Sequence, residues 1–215
     1  WSWDEVLPYF KKAQNQERGP IDTHGVGGPL NVADFPEKHL VSAALIEACQ
    51  EAGIPYRDDL NNGNQEGCTW FQMTAKNGKR HSAAVAYLHP AMKRPNLHVE
   101  IEALTNRVLI ENGRAVGVEY SKDGQLHQVR AAKEVILSGG TYNSPQLLML
   151  SGIGPADELR EHGITPIVDL PGVGKNLSEH PVVMMGFKAK KPVTFLNELR
   201  YDRAMLSALP WALFG

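Results

Sequence analysis

Hydrophobic and polar positions follow two different periods along this chain, and the change falls just after Arg94-Pro95-Asn96. Before it the spacing is helical. Over residues 3–15, Val6, Tyr9 and Phe10 form one stripe while Lys11 and Lys12 turn outward, which predicts a helix closed by Gly19-Pro20. Asp34 followed by Glu37 reads as a capping box, and Leu40, Ala44, Leu45, Ala48 and Ala52 then recur on one helical face until Gly53 stops it. Such a stripe is ordinarily a packing element without chemistry. The polar, Asn- and Gly-rich stretch 58–67 reads as a loop, Trp70-Phe71-Gln72-Met73 as a short strand, and residues 82–92 as another helical stretch.

After the change the pattern alternates. Residues 99–103, 107–110, 115–120 and 126–129 are short β-rich runs, and Asn112-Gly113 and Asp123-Gly124 separate successive pairs. These dipeptides favour the positive φ angles of type I′ turns, so a small antiparallel meander is expected. Residues 133–138 then predict a strand with a buried apolar centre. Helices and short strands together place the chain in the mixed α/β and α+β classes.

Composition narrows the partners. With 215 residues and 42% hydrophobic content the chain is long enough for one or two domains with a sizeable core. Its 22 basic and 24 acidic residues, net charge −2, are spread along the sequence, so no basic surface for nucleic acid is expected. Cys49 and Cys68 lie far apart and outside any CxxC spacing, which argues for reduced thiols and a cytoplasmic location. The apolar stretches 182–186 and 206–214 fall short of the roughly 20 residues that span a bilayer, so membrane association is not indicated. Among the histidines His39, His81, His89, His98, His127 and His162 no HExxH-type spacing occurs, and no metal is expected.

Two glycine-rich stretches could carry chemistry. His24-Gly25-Val26-Gly27-Gly28-Pro29 lacks the preceding buried strand of a dinucleotide fingerprint, and Pro29 stands where its helix should start. Ser138-Gly139-Gly140 is different: it ends the strand read over 133–138, with Ser144 as a helix N-cap and Pro145 as a first helical residue. That junction can aim free backbone N–H groups at an anionic ligand, or it can be a plain strand-turn-helix corner with packing glycines.

The full string Gly140-Thr141-Tyr142-Asn143-Ser144-Pro145-Gln146-Leu147-Leu148-Met149-Leu150-Ser151-Gly152-Ile153-Gly154-Pro155 resembles the second signature of the glucose-methanol-choline oxidoreductase family. Further segments resemble the same family in the same order: His24–Pro29, Arg80-His81-Ser82, Arg94-Pro95-Asn96-Leu97, Ala115-Val116-Gly117-Val118-Glu119-Tyr120 and Pro171-Gly172-Val173-Gly174-Lys175-Asn176-Leu177. The resemblance implies part of a Rossmann-type FAD domain with an antiparallel meander, and part of a substrate domain. Residues 1–96 would form a mainly helical connecting and substrate-side segment, 97–172 the FAD-domain portion, and 173–215 the start of the substrate-binding domain. It also implies an alcohol substrate, an unidentified electron acceptor, and hydride transfer to FAD with the hydroxyl proton going to a base.

Several positions carry over by that resemblance. Thr105 matches the strand whose backbone contacts the adenine of FAD, and Ser138, Gly139 and Gly140 match the strand end beside the ribose and pyrophosphate. In Asn176-Leu177-Ser178-Glu179-His180-Pro181 the family usually has Asp at the Glu179 position, and His180 would lie near the active-site side. A single His is, on sequence alone, as readily a surface or hydrogen-bonded core residue. Members that oxidise choline have an acidic residue where this chain has Val182. An apolar side chain offers a cation no Coulombic attraction, so a neutral primary alcohol is expected. The family's GxGxxG and its base, a His with His or Asn, have no match in these residues, so no catalytic residue is assigned here. Trp1-Ser2-Trp3 enters a helical pattern without an initiator Met, and 204–214 is apolar to the end, so an internal piece truncated at both ends and inactive alone is expected. The competing expectation is a non-catalytic nucleotide- or protein-binding module.

Overall fold

The computed structural model describes residues 1–184, 186 and 188–194, together with Tyr201, Arg203, Leu206, Ala208 and Leu213. Most of the apolar stretch 204–214 lies outside the described residues. The chain divides into two units, Trp1–His98 with residues of the C-terminal stretch, and Val99–Met184.

In the first unit, Ser2 caps helix α1 (Trp3–Ala13) through a reciprocal capping box with Glu5. The helix stops two residues before the expected end because Gln14–Gln16 (β1) leaves it to pair in parallel with Leu30–Asp34 (β2). Lys11 is not simply turned outward: its Nζ donates to the Asp22 carbonyl at 3.2 Å. Gln72–Met73 (β3) adds to β2 antiparallel, a strand half as long as predicted. Asp34 therefore ends a strand and caps nothing. Helix α2 (Leu40–Glu51) is capped instead by His39, whose Nδ1 accepts from the Val41 N–H at 3.2 Å, and Gly53 ends it at φ +86°. Ala75–Lys76 (β4) and Lys79–Arg80 (β5) form a hairpin over Asn77-Gly78. The predicted 82–92 stretch is helical but begins as a π-turn over Ala84–Leu88 before α3 (His89–Ala91).

The second unit is the meander and what packs on it. Leu104–Glu111 (β6), Arg114–Lys122 (β7) and Gln125–Arg130 (β8) pair antiparallel in that order. Both connecting dipeptides have two positive φ angles, 51° and 75° at Asn112-Gly113 and 51° and 74° at Asp123-Gly124, as the I′ geometry requires. The expected strand 99–103 does not form, and Glu102 within it has φ +56°. The strand expected over 133–138 is absent too. Its backbone pairs with no strand among the described residues, and Ile136 at its centre is 76% exposed, so the apolar pattern there is not met by burial. Then follow α4 (Gly140–Leu150), β9 (Ile153–Gly154), α5 (Ala156–Glu161) and β10 (Val168–Asp169), with β9 and β10 parallel. Helix α4 packs against β6.

The core is thinner than the composition suggests. Among the described residues the buried apolar side chains are Ala33, Ala75 and Ala86 in the first unit and Val108, Ala156 and Leu159 in the second. Large apolar groups such as Tyr9, Phe10, Leu45, Leu104 and Ile136 stay exposed.

Candidate functional site

The positions expected to meet cofactor or substrate, Thr105, Ser138, Gly139, Gly140, His180 and Val182, all fall in the second unit. Ser138, Gly139 and Gly140 are exposed where the chain enters α4. The helix starts earlier than Ser144-Pro145 implied: Gly139 occupies the N-cap, and both Ser144 and Pro145 lie inside the helix. Ser144 nevertheless serves the turn, since its Oγ accepts from the Gly139 N–H at 3.0 Å. That bond uses one of the N–H groups expected to be free. Pro145 has no N–H to give the Thr141 carbonyl four residues back, which leaves that acceptor without its ordinary helical partner.

The two glycines do different things. A Cβ on Gly139 would sit 3.1 Å from the Asn143 Cβ, so its missing side chain lets the turn close on its own helix. Gly140 has φ +81°, and a Cβ there would meet nothing within 4 Å. The backbone at Gly140 is thus open to an incoming group, at a helix start that no side chain caps. An FAD ribose or pyrophosphate fits such a place, because it can approach the main chain without displacing a side chain.

Past the helix the signature turns structural. Ser151 is buried; its Oγ accepts from the Val108 N–H of β6 at 2.8 Å and donates to the Leu147 carbonyl at 2.6 Å. Gly152 has φ +82°, and a Cβ there would lie 2.8 Å from the Thr165 carbonyl oxygen. The Gly152 carbonyl accepts from the N–H groups of Ile167 and Val168, at 2.7 and 3.1 Å. Asp169 Oδ1 accepts from the Ala156 N–H at 3.0 Å and so caps α5, whose Leu159 is 2% exposed. One motif thus joins an open turn to a packed anchor.

Thr105 sits half-buried on β6, opposite Tyr120 of β7, which in turn pairs with and stacks on His127 of β8. The ladder shifts register between Thr105 and Arg107, and Asn106 in the shift donates from Nδ2 to Ser121 Oγ at 2.8 Å. Beyond the shift, Arg107 makes two 3.0 Å bonds to Glu119, and with Gln128 it holds that carboxyl below the usual glutamate range. Thr105 and the Gly139-Gly140 turn therefore belong to one packed pair, β6 and α4. His180 and Val182 do not join it through any element: both are exposed in a stretch without helix or strand, Val182 at 77%.

Sequence reasoning missed a buried polar cluster in the first unit. His24 Nε2 lies 2.7 Å from Asp59 Oδ2, both nearly buried, and Asn31 donates to Glu17 Oε1 and the Ala75 carbonyl while accepting from Asn15. The partners stand up to 44 residues apart, so no local spacing could reveal them. The neighbouring glycines are packing residues: a Cβ on Gly25 would overlap the Lys11 carbonyl, and one on Gly28 would lie 2.5 Å from the Ala13 carbonyl carbon. Among the described residues no group of three or more His, Cys, Asp or Glu is placed to hold a metal, and no helix is long and apolar enough to cross a membrane.

The GMC oxidoreductase family model matches residues 1–182. Mitochondrial choline dehydrogenase of Homo sapiens is 49% identical over 211 residues, which cover 98% of this chain and 36% of that enzyme's length. The structure of pyridoxine 4-oxidase from Mesorbium loti superposes with a TM-score of 0.74 at 34% identity, over 80% of this chain and 34% of the other. An FAD-dependent oxidoreductase from Chaetomium thermophilum gives a TM-score of 0.75 at 30% identity, over 80% and 32%. The chain thus spans about a third of the length of the proteins it resembles.

Proposed function

Because this chain belongs to the GMC oxidoreductase family, we propose that the whole protein is an FAD-dependent oxidoreductase acting on CH–OH donors, with a neutral primary alcohol as substrate. The observation that carries the reading is the open backbone at Gly140, at the start of the helix that bears the signature. There an anionic group can approach the main chain with no side chain in the way. The Gly139-Gly140 turn and the strand around Thr105 would hold FAD, by backbone approach at the first and by backbone contact at the second. When bound, FAD supplies the acceptor for the hydride that leaves the alcohol carbon.

The residues of this chain then bind and orient. Gly140 leaves room for the cofactor, Ser144 fixes the Gly139 N–H, and the cross-strand pairs of Arg107 with Glu119 and Arg130 with Glu111 brace the sheet that carries Thr105. The base that takes the hydroxyl proton is proposed to lie outside these residues. Val182 argues for a neutral alcohol even though the human relative is a choline dehydrogenase, since an aliphatic side chain cannot offset the desolvation of a quaternary ammonium. His180, two positions earlier, is proposed as an active-site neighbour without a proton-transfer role.

The free thiols of Cys49 and Cys68 suit a reducing compartment, and the cytoplasm is the proposed location. The division into a substrate-side segment to residue 96, an FAD-domain portion to 172 and a substrate-domain start is proposed in the same sense. The test is spectroscopic: whole protein purified with flavin absorbance, reduced under anaerobic conditions by neutral primary alcohols at lower concentration than by choline. A protein that is colourless and ignores added FAD removes the proposal; one reduced best by choline removes the role given to Val182.

A further inference from the structure

We propose that Ser151 is a positioning residue for FAD, whose buried hydroxyl fixes the helix beginning at Gly139-Gly140 onto the strand that carries Thr105. The inference rests on the FAD reading above. Ser151 is 5% exposed and is the C-cap of α4. Its Oγ bonds in two directions, accepting from the Val108 N–H at 2.8 Å and donating to the Leu147 carbonyl at 2.6 Å. The first bond ties it to β6 and the second to the last turn of its own helix. Both partners' elements carry proposed FAD contacts, Thr105 three residues before Val108 and Gly140 at the far end of α4.

The strand needs such a tie at this point. Register shifts between Thr105 and Arg107 and between Leu109 and Ile110 bracket Val108, so although Thr105 keeps Tyr120 as its partner, the ladder around Val108 is irregular and the Ser151 bond is a second tie on this segment. Val108 is itself 6% exposed, and its N–H would be stranded in the interior without Ser151. Helix α4 is eleven residues, about 16 Å long, and continuous from Gly140 to Leu150 with Pro145 inside it. A small rotation at the Ser151 end is therefore carried to the Gly140 end. Removing the hydroxyl frees the helix and the strand to shift against each other, and the two ends of one cofactor then no longer meet contacts set at a fixed separation.

The test uses the whole protein stripped of flavin and titrated with FAD by fluorescence quenching. Ser151→Ala is expected to weaken FAD binding about tenfold or more and to alter the visible circular dichroism of the bound flavin, whereas Ser151→Thr, which keeps the hydroxyl, stays within about threefold of wild type. Leu159→Ala, a core change in α5 of the same unit, is the structural control: it lowers the melting temperature at least as far but leaves the FAD dissociation constant within about twofold. Ser151→Ala with wild-type FAD affinity overturns the inference, as does Leu159→Ala weakening FAD equally. Should Ser151→Ala not fold, Ser151→Cys replaces it, and the same affinity comparison decides. A wild-type protein that binds no FAD removes the proposed function and this inference together, while binding by wild type and Ser151→Ala alike removes this inference alone.

Discussion

Two glycines of the same signature differ in what an added side chain would meet. At Gly152 a new Cβ would strike the Thr165 carbonyl oxygen as well as demand a left-handed φ, so Gly152→Ala is expected to cost roughly 2–4 kcal/mol in urea unfolding. At Gly140 only the φ is strained, and Gly140→Ala should cost about 1 kcal/mol while still weakening FAD retention by crowding the open backbone. Equal stability losses at the two positions would contradict this division. The Asp34 carboxyl offers a charge test: the Arg18 guanidinium hydrogen-bonded to it, then Gln72, hold it below the ordinary aspartate range, against some desolvation. A depressed folded value means its stabilisation is complete above the unfolded value near 4 and is lost as pH falls through the lower folded value. Asp34 is about half exposed, so solvent screening keeps the effect small. Melting temperatures of wild type and Asp34→Asn should therefore differ modestly at pH 7 and converge as the pH falls through the lowered folded value; a gap that widens in acid would reverse the assignment.

Elements were legible where local chemistry decides them. Asn112-Gly113 and Asp123-Gly124 demanded positive φ at both positions, and the meander followed with its register set by those turns. The same signal at Asn77-Gly78 marks the β4–β5 hairpin, whose two-residue strands are too short to show an alternating pattern. What local chemistry leaves open is who pairs with whom. Asp34 had the form of a cap, yet the nearby Arg18 and Gln72, joined through strand pairing 38 residues away in the case of Gln72, drew it into β2. Residues 133–138 had the apolar pattern of a buried strand, but a pattern becomes a strand only beside a neighbour, and none pairs with it among the described residues. The Gly139-Gly140 turn was expected for its missing side chains, and a positive φ is found at Gly140 alone, Gly139 being at φ −78°. The Ser151 bond to Val108 was not legible, since it joins residues 43 apart. Helix α5, by contrast, is a conventional packing element, and Leu159→Ala should cost about 2–5 kcal/mol in chemical denaturation. A loss below 1 kcal/mol would show that Leu159 is not the core residue its 2% exposure indicates.

At the scale of the molecule, the thin core and the many exposed apolar side chains leave apolar surface uncovered among the described residues. Expressed alone, residues 1–215 are expected to bind an apolar fluorescent dye strongly and FAD weakly; tight stoichiometric FAD binding by this chain alone would contradict the account. The GMC family membership rests on the match over residues 1–182, and the open turn at Gly140 is the place proposed for cofactor approach. The most direct test of the central claim is the absorbance spectrum of the whole protein between 350 and 550 nm before and after anaerobic addition of a neutral primary alcohol. Oxidised flavin bands that bleach on addition are expected; a colourless protein that stays colourless with added FAD, or flavin bands that no alcohol bleaches, would contradict the proposed activity.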